Sequence, residues 1–230
     1  MSGARTVRAA GLLFDNDGVL VDSTAAVEGS WRAFASWYDL PAEDVLERVH
    51  GRRSRDVIAH YASRLPVAPE EAFARYIDAC IREFVQVDLL PGTADLVATL
   101  PAHGWAVVTS GTKVVTQARW AAAGLPDSPV LITAEDVSAG KPKPDPYRTA
   151  AERLRIDAAN CLAVEDSPAG LTSAREAGCK TLALLTTHQR GELDADLFAV
   201  DLSGVRVSDN GGFEVTVSPP TPGESGPAAE

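Results

Sequence analysis

The feature that most restricts this chain is a short apolar run, Ala9-Ala10-Gly11-Leu12-Leu13-Phe14, that stops abruptly at Asp15-Asn16-Asp17-Gly18. A run with no polar alternation marks a strand buried on both faces, as in a parallel sheet. Open sheets of that kind gather ligands at the C-terminal ends of their strands, so the paired acids fall where a site is expected. Two carboxylates two positions apart, in a turn that Gly18 permits, can divide a reaction between them. One can coordinate a metal and attack phosphorus, and the other can give and take a proton at the bridging oxygen. Taken alone, a turn carrying two exposed aspartates explains the same residues.

From Ser23 the pattern turns helical. Val27, Trp31, Phe34 and Tyr38 step by four, three and four residues; Phe73, Ile77, Cys80 and Phe84 repeat that spacing, and Val57, Ile58, Tyr61 and Leu65 form another stripe. The spacing predicts about four helices over residues 23–88, with the aromatic stripes as their shared core rather than a cofactor box. After Leu89-Leu90-Pro91-Gly92, strand-like runs alternate with helical ones: Trp105 to Val108 with a helix from about Thr112, Val130 to Ile132, Cys161 to Val164 with a helix from near Pro168, and Thr181 to Leu185. That alternation predicts an α/β fold, a doubly wound, Rossmann-like parallel sheet. Residues 1–22 and 89–217 form its core and 23–88 an inserted all-helical cap, whose two junctions lie near the C-terminal edge of the sheet, so that it sits as a lid. Val205 to Val207 and Phe213 to Val217 flank Asp209-Asn210-Gly211-Gly212 and predict a hairpin within 204–217. Residues 218–230, rich in Pro, Gly, Glu and Ala, predict a disordered tail.

Three further clusters end or follow predicted strands. Val107-Val108-Thr109-Ser110-Gly111 runs into two hydroxyls and a glycine, which with backbone N–H groups can bind phosphate oxygens. Gly140-Lys141-Pro142-Lys143-Pro144-Asp145-Pro146 holds a lysine in a stiff loop, where its ammonium can offset phosphoryl charge; Lys143 is the solvent-facing competitor. Asp145 followed by Pro146 reads as an N-cap and first helical residue. Val164-Glu165-Asp166-Ser167-Pro168 supplies two more acids. Mg²⁺ is commonly held by one or two carboxylates, waters and substrate phosphate, a need that Asp15, Asp166 and a backbone oxygen of Asp17 can meet. Each cluster has a structural explanation by itself; four at the ends of separate strands do not.

The formal net charge of −11 argues against nucleic acid and acidic membranes as partners. An anionic substrate then needs local positive charge at the site. Cys80, Cys161 and Cys179 are widely spaced and odd in number, which reads as buried apolar residues in a reducing, cytoplasmic setting. No apolar run approaches a membrane span, and Met1 to Arg8 lacks the apolar stretch of a signal peptide. A monomer is the default expectation.

In order, the four clusters resemble the four signature motifs of the haloacid dehalogenase-like superfamily, over most of the chain to about residue 200. The helical insertion resembles that superfamily's alpha-helical cap. The second aspartate separates the chain from the dehalogenase branch proper, which lacks it and uses no magnesium. Val49-His50-Gly51-Arg52, Val108-Thr109-Ser110-Gly111-Thr112 and Gly124-Leu125-Pro126 resemble bacterial sugar and hexitol phosphatases and the fungal glycerol-3-phosphatase and 2-deoxyglucose-6-phosphatase group. The beta-phosphoglucomutases are more distant relatives.

The resemblance implies Asp15 as nucleophile and metal ligand, and Asp17 as general acid/base with its carbonyl on Mg²⁺. It further implies Thr109 as the phosphoryl-binding hydroxyl beside Ser110 and Gly111, Lys141 as the motif lysine and Asp166 as metal ligand, with Glu165 assisting. Asn16 departs from the family pattern, in which an apolar residue usually stands there. In the cap, His50, Arg52 and Arg53 form the polar cluster ahead of a helix at Ser54, and Arg52 or Arg53 can reach sugar hydroxyls or phosphate. The expected activity is a Mg²⁺-dependent phosphatase acting on a small sugar or polyol phosphate. The alternatives are a phosphosugar mutase and a non-catalytic phosphate-binding protein on the same fold.

Overall fold

The computed structural model describes residues 3–49 and 52–220. Strands β1 (Arg5–Ala9), β2 (Gly11–Phe14) and β3 (Val21–Asp22) precede helices α1 (Thr24–Trp37), α2 (Ala42–Leu46), α3 (Ser54–His60) and α4 (Pro69–Arg82). Next come β4 (Asp88–Leu89), α5 (Thr93–Thr99), β5 (Trp105–Val108), α6 (Lys113–Ala123), β6 (Leu131–Ile132), α7 (Asp145–Leu154), β7 (Cys161–Glu165) and α8 (Pro168–Ala177). Strands β8 (Lys180–Leu184), β9 (Leu197–Ala199), β10 (Val205–Asp209) and β11 (Phe213–Val217) follow.

Six strands form one parallel sheet in the order β6-β5-β2-β7-β8-β9. The apolar strands have no polar face because helices cover both sides. Leu12 and Phe14 pack with Trp105, Val107, Leu162 and Val164 beneath Leu96 and Val97 of α5 and Trp120 of α6. Leu13, Ala106, Val108 and Ala163 face Tyr147 and Ala150 of α7 and Ala174 of α8. Phe14 lies in register with Val107 on one side and Val164 on the other, so Asp15, Thr109 and Glu165-Asp166 emerge together at one sheet edge.

The apolar run at 9–14 is not a single strand. Ala9 pairs with Phe213 in a second, antiparallel sheet of order β1-β11-β10, and the chain enters the parallel sheet only at Gly11. The expected hairpin therefore forms and takes β1 as a third strand, and Val205, Phe213, Val215 and Val217 join the main core. Asp145 is the first residue of α7 rather than its N-cap; its Oδ2 accepts from Ser138 Oγ (3.1 Å) and the Ala139 N–H (3.2 Å), tying down the preceding loop. The Ser218 N–H still donates to the Gly204 carbonyl at 2.9 Å, so the predicted tail is anchored at its start; from residue 221 it lies outside the described residues.

Residues 24–82 supply α1 to α4 and a core of their own, in which Trp31 stacks on Tyr76 with centroids 4.2 Å apart and Phe34 stands edge-on to Trp31 at 5.3 Å. Val115 of α6 joins that cluster from the α/β side. The two strands flanking the segment, β3 and β4, pair antiparallel, which brings its entry and exit together. The three cysteines are buried free thiols; burial pushes Cys161 up to about 11 and Cys179 to about 12. Among the described residues no helix is long and apolar enough to cross a membrane.

Candidate active site

The site is built where β2, β5 and β7 end. The Asp15 N–H extends the β2–β7 ladder by donating to the Val164 carbonyl at 2.9 Å, and the Thr109 N–H extends β5–β6 by donating to Ile132 at 2.9 Å. Gly18 has φ +84°, and a Cβ there would overlap the Asp166 carboxylate, so the turn after Asp17 must be glycine for both conformation and room.

Lys141 is buried at the centre. Its ammonium donates to Asp15 Oδ1 (2.5 Å), Glu165 Oε1 (2.5 Å) and the Val108 carbonyl (3.1 Å), which accounts for all three of its hydrogens. Burial alone would depress this ammonium, but the charges of Asp15 and Glu165 outweigh burial and hold it raised. Lys141 thus pins one oxygen of Asp15 and contributes charge rather than a spare hydrogen bond.

Glu165 is fully enclosed. Oε1 accepts from Lys141 and from Tyr147 Oη (2.7 Å); Oε2 accepts from the N–H groups of Asp166 (3.2 Å) and Ser167 (3.4 Å) and from Ser167 Oγ (3.0 Å). A Cβ on Gly170 would strike this carboxylate, so the first turn of α8 is shaped around it.

Asp15, Glu165 and Asp166 bring carboxylate oxygens within 4.8 Å of one another, the one such group among the described residues. Three buried carboxylates against one ammonium leave excess negative charge. Asp166 is pushed up to about 7, first by burial and then by Glu165, although Thr187 Oγ1 donates to its Oδ2 at 2.5 Å. Asp15 is raised well above the usual carboxylate range, first by burial, with Lys141 opposing and Glu165, Asp166 and Asp17 reinforcing. An all-oxygen cluster of that charge fits a hard divalent cation. The Glu165 oxygens are already taken, which leaves Asp15 and Asp166 as the carboxylates to hold it.

Asp17 faces a ring of donors. Oδ1 accepts from Ser23 Oγ (2.5 Å) and lies 3.6 Å from the Arg119 guanidinium; Oδ2 accepts from Asn16 Nδ2 (3.1 Å) and Thr109 Oγ1 (3.3 Å). Thr109 Oγ1 also receives the Gly111 N–H at 3.0 Å. Ser110, Gly111 and Arg52 line the cavity above Asp15, with Val27, Trp31 and Tyr76 on its far wall.

Arg53 does not turn inward. It pairs with Asp56 (2.8 Å) and donates to the carbonyls of Val137 (3.5 Å) and Ser138 (3.2 Å), clipping the start of α3 to the loop that leads to Lys141. Lys143 is exposed, as read from its loop, and His50 lies outside the described residues.

The clusters read from the sequence thus meet, and other residues join them. Arg119 is buried and lines the cavity; its one signal is a charge placed among Val115, Thr116 and Trp120 on the buried stripe of α6. Tyr147 and Thr187 carry no local signal, since their partners Glu165 and Asp166 are distant in the chain, whereas Ser23 lies only six residues after its partner Asp17. Among the described residues three buried side-chain polar atoms lack a hydrogen-bond partner, and two of them, Thr112 Oγ1 and Arg119 Nε, belong to residues that line this cavity.

The family model for haloacid dehalogenase-like hydrolases matches residues 9–178. The chain is 38% identical to Hexitol phosphatase A of Escherichia coli over 89% of its length and 98% of the relative's. It is 30% identical to Glycerol-1-phosphate phosphohydrolase 2 of Saccharomyces cerevisiae, over 85% and 83% respectively. Among solved structures, CbbY from Rhodobacter sphaeroides superposes with a TM-score of 0.73 at 23% identity, covering 85% of this chain and 95% of that one, which speaks to the fold.

Proposed function

Because the chain belongs to the haloacid dehalogenase-like hydrolases, we propose that it is a divalent-metal-dependent phosphatase that releases phosphate from small sugar or polyol monophosphates. The observation that carries this is the convergence of Asp15, Asp17, Lys141 and Asp166 at one sheet edge, beneath a cavity bounded by α1 and α4. Asp15, Asp166 and the backbone carbonyl of Asp17 would hold the cation, Mg²⁺ by the donor chemistry, and when bound it screens charge on the phosphoryl oxygens.

Lys141 holds Asp15 Oδ1, so Oδ2 is the attacking oxygen. A bond forms from Oδ2 to phosphorus as the ester P–O bond breaks, and Asp17 passes a proton to the departing alcohol oxygen. Water then attacks the aspartyl-phosphate, Asp17 takes its proton, and the P–O bond to Asp15 breaks to release inorganic phosphate. Ser110 and Gly111 line the phosphoryl side of the pocket, and the Thr109 hydroxyl lies behind them against Asp17 Oδ2.

On the leaving-group side, Thr112 Oγ1 and Arg119 Nε supply unspent polar hydrogens to a cavity that Val27, Trp31 and Val115 also line. Hydroxyl oxygens of a polyol or sugar suit them. A second anionic group would face Asp15, Asp17 and Asp166. Residues 23–88 act in this reading as the cap over the leaving group, with Arg52 at its rim.

The test is phosphate release from a panel of phosphate monoesters with Mg²⁺. Hexitol, glycerol and sugar monophosphates are the expected substrates, and Asp15→Asn is expected to fall to background. Isomerised sugar phosphate without free phosphate would identify a mutase instead, and no turnover across the panel would leave a binding protein.

A further inference from the structure

Asn16 stands between the two acids, and its backbone and side chain serve separate ends. The Asn16 carbonyl accepts from the N–H groups of Val19 (3.3 Å), Leu20 (2.9 Å) and Val21 (3.1 Å), a turn that many residue types could support. The side chain is 1% exposed and spends both ends of its amide. Oδ1 accepts from Trp120 Nε1 at 2.6 Å, and Nδ2 donates to Asp17 Oδ2 at 3.1 Å. An indole N–H can only donate, so the amide atom facing Trp120 must be oxygen and the atom facing Asp17 must be nitrogen. The direction of the contact at Asp17 is therefore dictated from α6. Arg119, the neighbouring residue on α6, lies 3.6 Å from the opposite oxygen of the same carboxylate.

We infer that Asn16 and Trp120 are positioning residues that orient Asp17 through this buried relay. The inference rests on Asp17 being the acid/base. An acid/base must meet the leaving oxygen in one orientation, and a carboxylate on a two-torsion side chain needs its oxygens held to do so. An apolar residue at position 16 would leave Asp17 Oδ2 to the longer Thr109 hydrogen bond at 3.3 Å and strand the indole N–H in the core.

Asn16→Leu keeps the branched shape, adds no charge among Asp15, Asp17 and Asp166, and removes the donor to Asp17 together with the acceptor for Trp120. With the preferred ester at pH 8 and saturating Mg²⁺, kcat is expected to fall about ten- to hundredfold, the worth of one hydrogen bond to a charged group, while KM changes little. Trp120→Phe is expected to lower kcat in the wild type and to lower it no further in Asn16→Leu, since both act through one relay. Melting curves normalise each rate to folded protein. Asn16→Leu within about twofold of wild-type kcat, or equal losses from Trp120→Phe in both backgrounds, would overturn the relay. Asp17→Asn is the control on the premise. Near-wild-type turnover there removes the acid/base reading itself and the relay with it, whereas an inactive Asp17→Asn beside an active Asn16→Leu removes the relay alone.

Discussion

Asp166 is held in its place at a cost to folding. Its carboxyl titrates at about 7 in the fold against the ordinary 3.8, with burial as the main cause. A raised acid favours the folded state below its unfolded value, and that contribution is lost as pH rises through the folded value. The metal-free protein is therefore expected to lose stability between about pH 4 and pH 7 from this group. A cation bound by the ionised carboxylates reverses the loss, so Mg²⁺ should raise the melting temperature more at pH 8 than at pH 5.5. Asp166→Asn should melt higher than wild type without metal at pH 8 and lose most of the Mg²⁺ response. Thermal melts across pH check both, and a metal-free Asp166→Asn that melts below wild type at pH 8 would contradict the account. Glu165 shows the opposite economy at the same scale: five donors surround it, and Lys141 supplies its countercharge. Glu165→Gln is expected to destabilise by about 1–3 kcal/mol in denaturant melts, because an amide nitrogen cannot accept the hydrogens aimed at one of its two oxygens.

At the scale of elements, α6 and its N-cap Thr112 serve the site on two sides. Thr112 and Val115 line the cavity, Arg119 faces Asp17, and Trp120 reaches Asn16 behind it. The spacing of an α-helix puts these residues on neighbouring faces, one toward the substrate and one toward the sheet. The helical segment meets the α/β core through paired β3 and β4 and through the Arg53 clip onto Val137 and Ser138. Arg53→Met should weaken closure without touching the reacting atoms. KM is expected to rise about three- to tenfold with a smaller change in kcat, as for the loss of one or two partly solvated guanidinium–carbonyl hydrogen bonds. Steady-state kinetics read this directly; an unchanged KM would mean that the clip does not govern access. Arg53 also shows why a cap cluster is hard to assign from sequence. Arg52 and Arg53 are adjacent and identical in chemistry, and only the path of the chain before α3 points one at the cavity and the other at core carbonyls.

At the scale of the molecule, the three-stranded sheet closes one flank of the main core. Val215 is almost fully buried and belongs to the cluster that also holds Phe14 and Val164 beneath the site. Val215→Ala is expected to cost about 2 kcal/mol by lost burial and the cavity left behind. Denaturant melts should show that cost, with kcat per folded molecule unchanged, because β11 contacts none of the reacting groups. The parallel strands were legible as uninterrupted apolar runs, since a strand covered on both faces has nothing to alternate with. Strand β1 was not: Arg5 to Arg8 alternate with a polar outer face, and their partner in β11 lies some two hundred residues away. Strand β9 was missed for a related reason, being three residues long and defined by its pairing with β8.

The amino-acid sequence alone named the residue types of the candidate site. Asp15, Asp17 and Asp166 follow apolar runs that read as buried strands, parallel strands bring their C-terminal ends to one edge, and Lys141 stands in a proline-stiffened loop. Tertiary structure decided which of these groups are spent and which are left to act. Lys141 is used up on Asp15 and Glu165, Glu165 is sealed, Arg53 is turned to the core, and Arg119 enters from α6. Hydrogen bonds and burial are pairwise facts between residues distant along the chain. A motif can name a donor or an acceptor, but only the packed fold says what it meets.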